Sequence, residues 1–246
     1  MRFSTILFDL GSTLLYTKEP WEPIHRLGDL ALTSFLNKSG IQVTVDAFTS
    51  KWGGFISSYY ADQEKLQNYL EKTTAVYLQE ILEFHGYPQI SRTILRGALD
   101  ELYAVTQRNW QLEEDALPTL EKFRINGLRM GLISNTSDDK NVQQLIDRWR
   151  IRPYMDFIIT SAGFGYRKPD VSIFQTALDN LSTDPSDAAM VGDSLEADIL
   201  GANLKGIFSI FINRRVNQSN IRNKNILPKV TISNLSQLLD VVFPET

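Results

Sequence analysis

The 246-residue chain contains no cysteine, which excludes disulfide frameworks, thiolate metal sites and cysteine nucleophiles, and fits a reducing compartment. It has only two histidines, too few for a histidine-rich metal cluster. Nor does charge of one sign dominate: 25 basic residues against 29 acidic ones leave a net charge of −4, with no global attraction to nucleic acid or an anionic membrane. Any anion must be held locally. No apolar run approaches the ~20 residues of a membrane span, and the first residues lack the basic, apolar, small-residue order of a secretory signal. A cytoplasmic protein is the expectation. Internal repeats and low-complexity tracts are also missing. What is present, 43% hydrophobic and 22% charged residues, supports a sizeable core in one large domain or two smaller ones.

From about residue 112 onward, short apolar runs alternate with helix-period segments, the pattern of a parallel sheet with crossover helices. The runs are RMGLIS (129–134), DFIIT (156–160), AAMVG (188–192), IFSIFI (207–212) and a weaker KVTIS. Between them, Val142, Leu145, Ile146 and Trp149 keep the helical period, as do Ile173, Phe174, Ala177, Leu178 and Leu181. Asp138 and Asp170 stand at N-cap positions. STILF near the N-terminus adds a strand with the continuous apolar character of a buried parallel one.

Residues 17–111 have a different pattern. Ile24, Leu27, Ala31 and Phe35 predict one helical face ending near Gly40; Leu78, Ile81 and Leu82 predict another ending at Gly86 and Pro88. A third, opened by Ser91, carries Ile94, Leu95, Ala98, Leu99, Leu102 and Tyr103. The expectation is an all-helical domain, 17–111, inserted into an α/β domain made of 1–16 and 112–246. Trp52, Phe55, Tyr59 and Tyr60 are assigned to the helical core.

In open α/β sheets, ligands bind beyond the carboxyl ends of the strands. The residues that end the runs here are Asp9, Ser134 with Asn135, and Asp193, joined by Lys168 from the loop after the 156–160 run. Two carboxylates, a hydroxyl and an ammonium suit phosphoryl transfer. Asp9 attacks, Lys168 and Ser134 neutralise phosphoryl oxygens, and Asp193 helps to hold a Mg²⁺. The hard oxygen donors favour Mg²⁺ over zinc.

LFDLGSTL, GLISN, RKPD and GDSLEAD, in this order, resemble the four motifs of the haloacid dehalogenase-like hydrolase superfamily. The helical insertion after the first motif resembles that family's cap. The resemblance implies a Rossmann-like doubly wound parallel sheet with an inserted cap, and a Mg²⁺-dependent phosphatase working through a phospho-aspartate on Asp9 against a small phosphorylated metabolite. It implies metal ligands Asp9, Asp193 and the carbonyl of Gly11, a substrate held by Thr13, Ser134, Asn135 and Lys168, and Asp198 orienting Lys168 or a metal-bound water. Thr13 would help to close the turn after the nucleophile, and Ser12 replaces the usual glycine, a change that a positive φ would penalise.

Gly11 departs from the family pattern. It replaces the aspartate that protonates the leaving oxygen and then deprotonates the attacking water, a contribution of roughly 10²- to 10⁴-fold. Branches without that aspartate include dehalogenases, which need no Mg²⁺, and a catalytically impaired binding protein is the remaining alternative. Glu19 and His25 are candidate replacements for the missing acid. Elsewhere plainer assignments are preferred: Glu196 as solvent-facing, Asn135-Thr136-Ser137 as a chance glycosylation match, and GFG (163–165) as a flexible turn without phosphate-loop spacing. His85 is read as a helix C-terminal residue, and Arg214, Arg215, Arg222 and Lys224 as a solvated loop rather than a nucleic-acid site.

Overall fold

A computed structural model describes residues 1–46, 48, 59, 68–215, 221, 223 and 225–244. Trp52, Phe55, Tyr60, Arg222 and Lys224 lie outside the described residues. The chain divides into two compact units, Met1–Tyr16 with Leu112–Thr246, and Thr17–Gln111.

The first unit is a parallel six-stranded sheet flanked by helices. Its strands are β1 (Thr5–Phe8), β4 (Arg129–Ser134), β5 (Phe157–Thr160), β6 (Ala188–Gly192), β7 (Phe208–Ile212) and β8 (Val230–Ile232), in the order β5-β4-β1-β6-β7-β8. All five neighbouring pairs are parallel. Side chains alternate across the sheet. Leu7 faces a cluster with Ile173, Phe174, Ala177 and Leu178 of one helix (Val171–Asn180). Phe8 faces the other way, 6.4 Å from the Phe123 ring of a second helix (Ala116–Ile125). Both sheet faces are thus covered, which is why the strands read as unbroken apolar runs. Asp138 and Asp170 cap their helices, accepting the N–H of Asn141 and of Ser172. Asp156 falls just outside its strand; its carboxylate accepts the Met130 N–H instead.

Leu15–Thr17 (β2) and Trp110–Leu112 (β3) form a separate two-stranded sheet. At three residues each, they are too short to leave a periodic signal.

The second unit is built on α1 (Trp21–Lys38), α2 (Thr74–Phe84) and α3 (Arg92–Thr106). Ser91 caps α3, and His85 is the C-cap of α2. Leu32, Leu36, Leu78, Ile81, Leu82 and Leu99 share its core, and Tyr59 packs edge-on against Tyr77. The α1 face differs from the apolar pattern. Leu27 is 53% exposed, and the buried stripe runs through Gly28, Asp29, Leu32, Thr33 and Leu36. Glycine causes the rotation: a Cβ on Gly97 would stand 2.3 Å from the Phe35 ring, and one on Gly28 would touch Thr106 and Leu102. The two helices therefore cross where side chains are smallest, a surface that hydrophobic periodicity does not register. Among the described residues, no helix is long and apolar enough to cross a membrane.

Candidate active site

Asp9 follows the last residue of β1, and its N–H continues the pairing by donating to Val191 O at 2.9 Å. Because β1 lies between β4 and β6, Asp9, Ser134 and Asp193 all emerge from adjacent strands on one edge. All three are buried. The turn after Asp9 is closed by main chain, with the N–H groups of Leu14 and Leu15 donating to Leu10 O at 3.0 and 2.9 Å. The Thr13 hydroxyl, expected to help there, is buried without a hydrogen-bond partner. Ser12 sits at φ +58°, the left-handed conformation that a side chain resists by roughly 1–2 kcal/mol.

Lys168 brings the carboxylates together. Its side chain is 1% exposed, and its ammonium donates to Asp9 Oδ1 at 2.6 Å, Asp198 Oδ1 at 2.6 Å and Ile133 O at 2.7 Å. An ammonium has three N–H donors, and these acceptors take all of them. Asn135, expected at the substrate, fixes the lysine loop. Its Oδ1 accepts the Lys168 N–H at 2.8 Å and its Nδ2 donates to the Lys168 carbonyl at 3.0 Å.

Asp198 lies on a π-helical turn (Leu195–Ile199) that the Ser194 side chain caps through the Ala197 N–H. The Ser194 N–H donates to Asp198 Oδ2 at 3.0 Å. This explains the glycine ending β6, since a Cβ on Gly192 would fall 2.3 Å from the Asp198 carboxylate. Likewise a Cβ on Gly201 would fall 2.3 Å from the Phe174 ring and 3.2 Å from Pro169 Cα, so that glycine lets its helix (Leu200–Lys205) pack against both.

Carboxylate oxygens of Asp9, Asp193 and Asp198 lie within 4.8 Å of one another. Asp9 and Asp198, two buried carboxylates, share the single ammonium of Lys168, which leaves one negative charge in excess. Burial is the main cause lifting the Asp9 pKa from 3.8 to about 6; Lys168 opposes the rise and Asp198 adds to it. Burial also opposes the charge on Lys168, but the pull of Asp198 and Asp9 prevails and raises its pKa. The set is all hard oxygen and short of positive charge, so these residues fit a divalent cation such as Mg²⁺.

In the helical unit, Glu19 is exposed, and its main chain is clipped at both N–H and C=O by the buried Asn109 amide, at 2.8 and 3.0 Å. His25 stacks on Trp21 with 5.0 Å between centroids. Burial lowers its pKa, with Asp29 pulling the other way.

Three sequence assignments change. Glu196 is half-buried rather than fully solvent-facing: its Oε1 accepts the Asn223 N–H at 2.6 Å, and its Oε2 is buried without a hydrogen-bond partner. Arg214 and Arg215 are not a free basic loop, because Arg214 pairs with Glu113 and Asp115, and Arg215 with Glu113. Arg215 also lies 4.0 Å over the Tyr16 ring. The acidic run Glu113-Glu114-Asp115 was the available signal, but its partners lie about a hundred residues away. GFG is ordered: Gly163 N–H donates to the Thr160 hydroxyl at 3.1 Å, and Gly165, at φ +99°, ends a one-turn helix (Ser161–Phe164).

The profile of the haloacid dehalogenase-like hydrolases matches residues 3–204. A ribulose-1,5-bisphosphate 5-phosphatase of Halopiger xanaduensis is 28% identical over 213 residues, 84% of this chain and 83% of that protein. Among solved structures, a 2-haloacid dehalogenase from Pseudomonas syringae pv. Tomato superposes with a TM-score of 0.71 at 23% identity, over 98% of both chains. A HAD phosphatase from Thermococcus onnurineus gives 0.65 at 23% identity, over 98% of this chain and 99% of that one. The fold is thus shared by a dehalogenase and a phosphatase, and does not by itself choose a reaction. With four motifs meeting at one sheet edge and a profile spanning most of the sequence, the chain belongs to the haloacid dehalogenase-like hydrolase family.

Proposed function

We propose that the protein is a Mg²⁺-assisted phosphatase of small phosphorylated metabolites, with Asp9 as the nucleophile that carries the phosphoryl group. The observation that carries the reading is the single ammonium of Lys168 set between Asp9 and Asp198, inside a buried cluster of three carboxylates. An attacking carboxylate on an alkyl carbon, as in dehalogenation, has no need of two further buried carboxylates and the cation they favour. The relative from Halopiger xanaduensis, a phosphatase by name, supports the same choice.

Asp9, Asp193 and the Gly11 carbonyl would hold the cation. When bound, it supplies positive charge to the phosphoryl oxygens. Lys168 keeps Asp9 oriented and adds charge to the site. The Ser134 hydroxyl, at the end of the neighbouring strand, is the donor assigned to a phosphoryl oxygen. Asn135 holds the lysine loop, and Asp198 holds the lysine. The helical unit, Thr17–Gln111, is read as the cap that contributes specificity.

The test is phosphate release from an aryl phosphate with an acidic phenol, with and without Mg²⁺. Release that needs the metal and disappears in Asp9→Asn supports the reading. Metal-independent halide release from a 2-haloacid, without phosphate release, would replace it by dehalogenation.

A further inference from the structure

We propose that Asp9 takes its phosphoryl group from acyl phosphates, whose leaving oxygen departs as a carboxylate, and that the resulting phospho-aspartate outlives the transfer. The proposal rests on the reading of Asp9 as nucleophile and narrows its substrate class.

The chemistry is set by which proton donors the α/β unit contains. Gly11 has no side chain where a general acid would stand. Both histidines, His25 and His85, belong to Thr17–Gln111, so the α/β unit has no imidazole. Around the carboxyl ends of its strands, the described groups nearest Asp9 are already engaged. The Lys168 N–H donors are filled, and Asp198 accepts from Lys168 and from the Ser194 N–H. Glu113 and Asp115 are paired with arginines, whereas Glu196 accepts the Asn223 N–H with one oxygen and keeps the other buried without a partner, which makes it the carboxylate to test as an acid.

An alkyl phosphate ester must expel a strongly basic alkoxide, which needs a proton as the bond breaks. An acyl phosphate expels a carboxylate with about the basicity of Asp9 in solution, roughly pKa 4. The exchange is close to symmetrical, one carboxylic–phosphoric anhydride becoming another. As an Asp9 oxygen bonds to phosphorus, the bond from phosphorus to the acyl oxygen breaks; its electron pair stays on that oxygen, and no proton moves. In the second step water adds to phosphorus, and the bond to Asp9 breaks with its pair returning to the carboxylate. Both water protons leave with the phosphate, which gives one up to solvent. Asp9 again needs no acid, but the water lacks a base. Loss of a positioned base slows such a step by roughly 10²- to 10⁴-fold, so the phospho-aspartate accumulates.

The experiment is intact-mass measurement of the full chain after incubation with Mg²⁺ and either acetyl phosphate or glycerol 3-phosphate, together with phosphate release. Acetyl phosphate should add one phosphoryl group, absent from Asp9→Asn and discharged by hydroxylamine; glycerol 3-phosphate should add none and release none. Gly11→Asp should shorten the adduct's lifetime by roughly 10²- to 10⁴-fold and gain turnover of the alkyl ester. Native turnover of glycerol 3-phosphate at the acetyl phosphate rate would overturn the proposal while leaving the phosphatase reading intact. Its loss in Glu19→Gln, His25→Asn or Glu196→Gln would then locate the acid. Rapid turnover of acetyl phosphate with no detectable adduct would overturn the long-lived intermediate. If neither the native protein nor Gly11→Asp is labelled or releases phosphate from either compound, the nucleophile reading fails with it.

Discussion

Asn135 holds Lys168 by both of its main-chain polar groups, accepting the N–H at 2.8 Å and donating to the carbonyl at 3.0 Å. One side chain on the β4 edge thereby sets the path of a loop whose lysine ties Asp9 to Asp198. Asn135→Ala should destabilise the protein by about 1–3 kcal/mol, the range for leaving buried polar groups unpaired. Asn135→Asp should be no better, because it turns an acceptor toward the carbonyl. In kinetics, both should lower kcat with little change in KM. A rise in KM alone would make Asn135 a substrate contact instead.

Removing the ammonium exposes the charge imbalance of the cluster. Lys168→Met leaves Asp9 and Asp198 facing each other without a counter-ion, a change that costs about 3–5 kcal/mol for a buried pair. The loss, read by urea unfolding in metal-free buffer, should be greatest at pH 7 and shrink toward pH 5, where protonation relieves the repulsion. Native-like stability at pH 7 would contradict the role given to Lys168.

The raised pKa of Asp9, about 6 against 3.8 in the unfolded chain, means that the metal-free native state binds this proton more tightly than the unfolded state does. Between those values the unfolded chain has already lost the proton, so this group's contribution to stability falls as pH rises from about 4 to 6. The full effect is on the order of 3 kcal/mol. Melting curves in EDTA should show a slope across that window in the native protein and a flatter one in Asp9→Asn. Parallel curves for the two proteins would refute the shift.

Gly192→Ala places a methyl group where the Asp198 carboxylate now lies. Displacing that carboxylate should cost about 1–3 kcal/mol, as overpacking does, and should lower phosphoryl transfer by loosening Lys168. Thermal unfolding beside the native protein measures the first effect, and unchanged stability would mean that Asp198 relocates freely.

Much of this site is legible in the sequence because each strand announces itself and ends on its polar residue. Phe8 gives way to Asp9, Ile133 to Ser134 and Gly192 to Asp193, and parallel topology then brings the ends together. Contacts between distant residues are less visible. Nothing local in Asn135 marks its amide for Lys168, and the pairing of Arg214 with Glu113 and Asp115 depends on where β7 runs in the sheet. The rotation of α1 escaped for another reason: Gly28 and Gly97 attract a neighbouring helix by what they lack.

The π-helical turn of Leu195–Ile199 also bears on how the chain tolerates changes in length. A π-turn holds one residue more than an α-turn, and this one begins two residues after Asp193 and carries Asp198. Deleting a residue there, Ala197 for example, would let the segment relax to an α-turn and bring Asp198 one position closer to Ser194, turning its side chain about the helix axis by about 100°. Asp198 would leave Lys168 even though every residue type at the site survived. In this segment the number of residues is as binding as their identity, so a sequence that keeps both aspartates but shortens the interval should have lost the site.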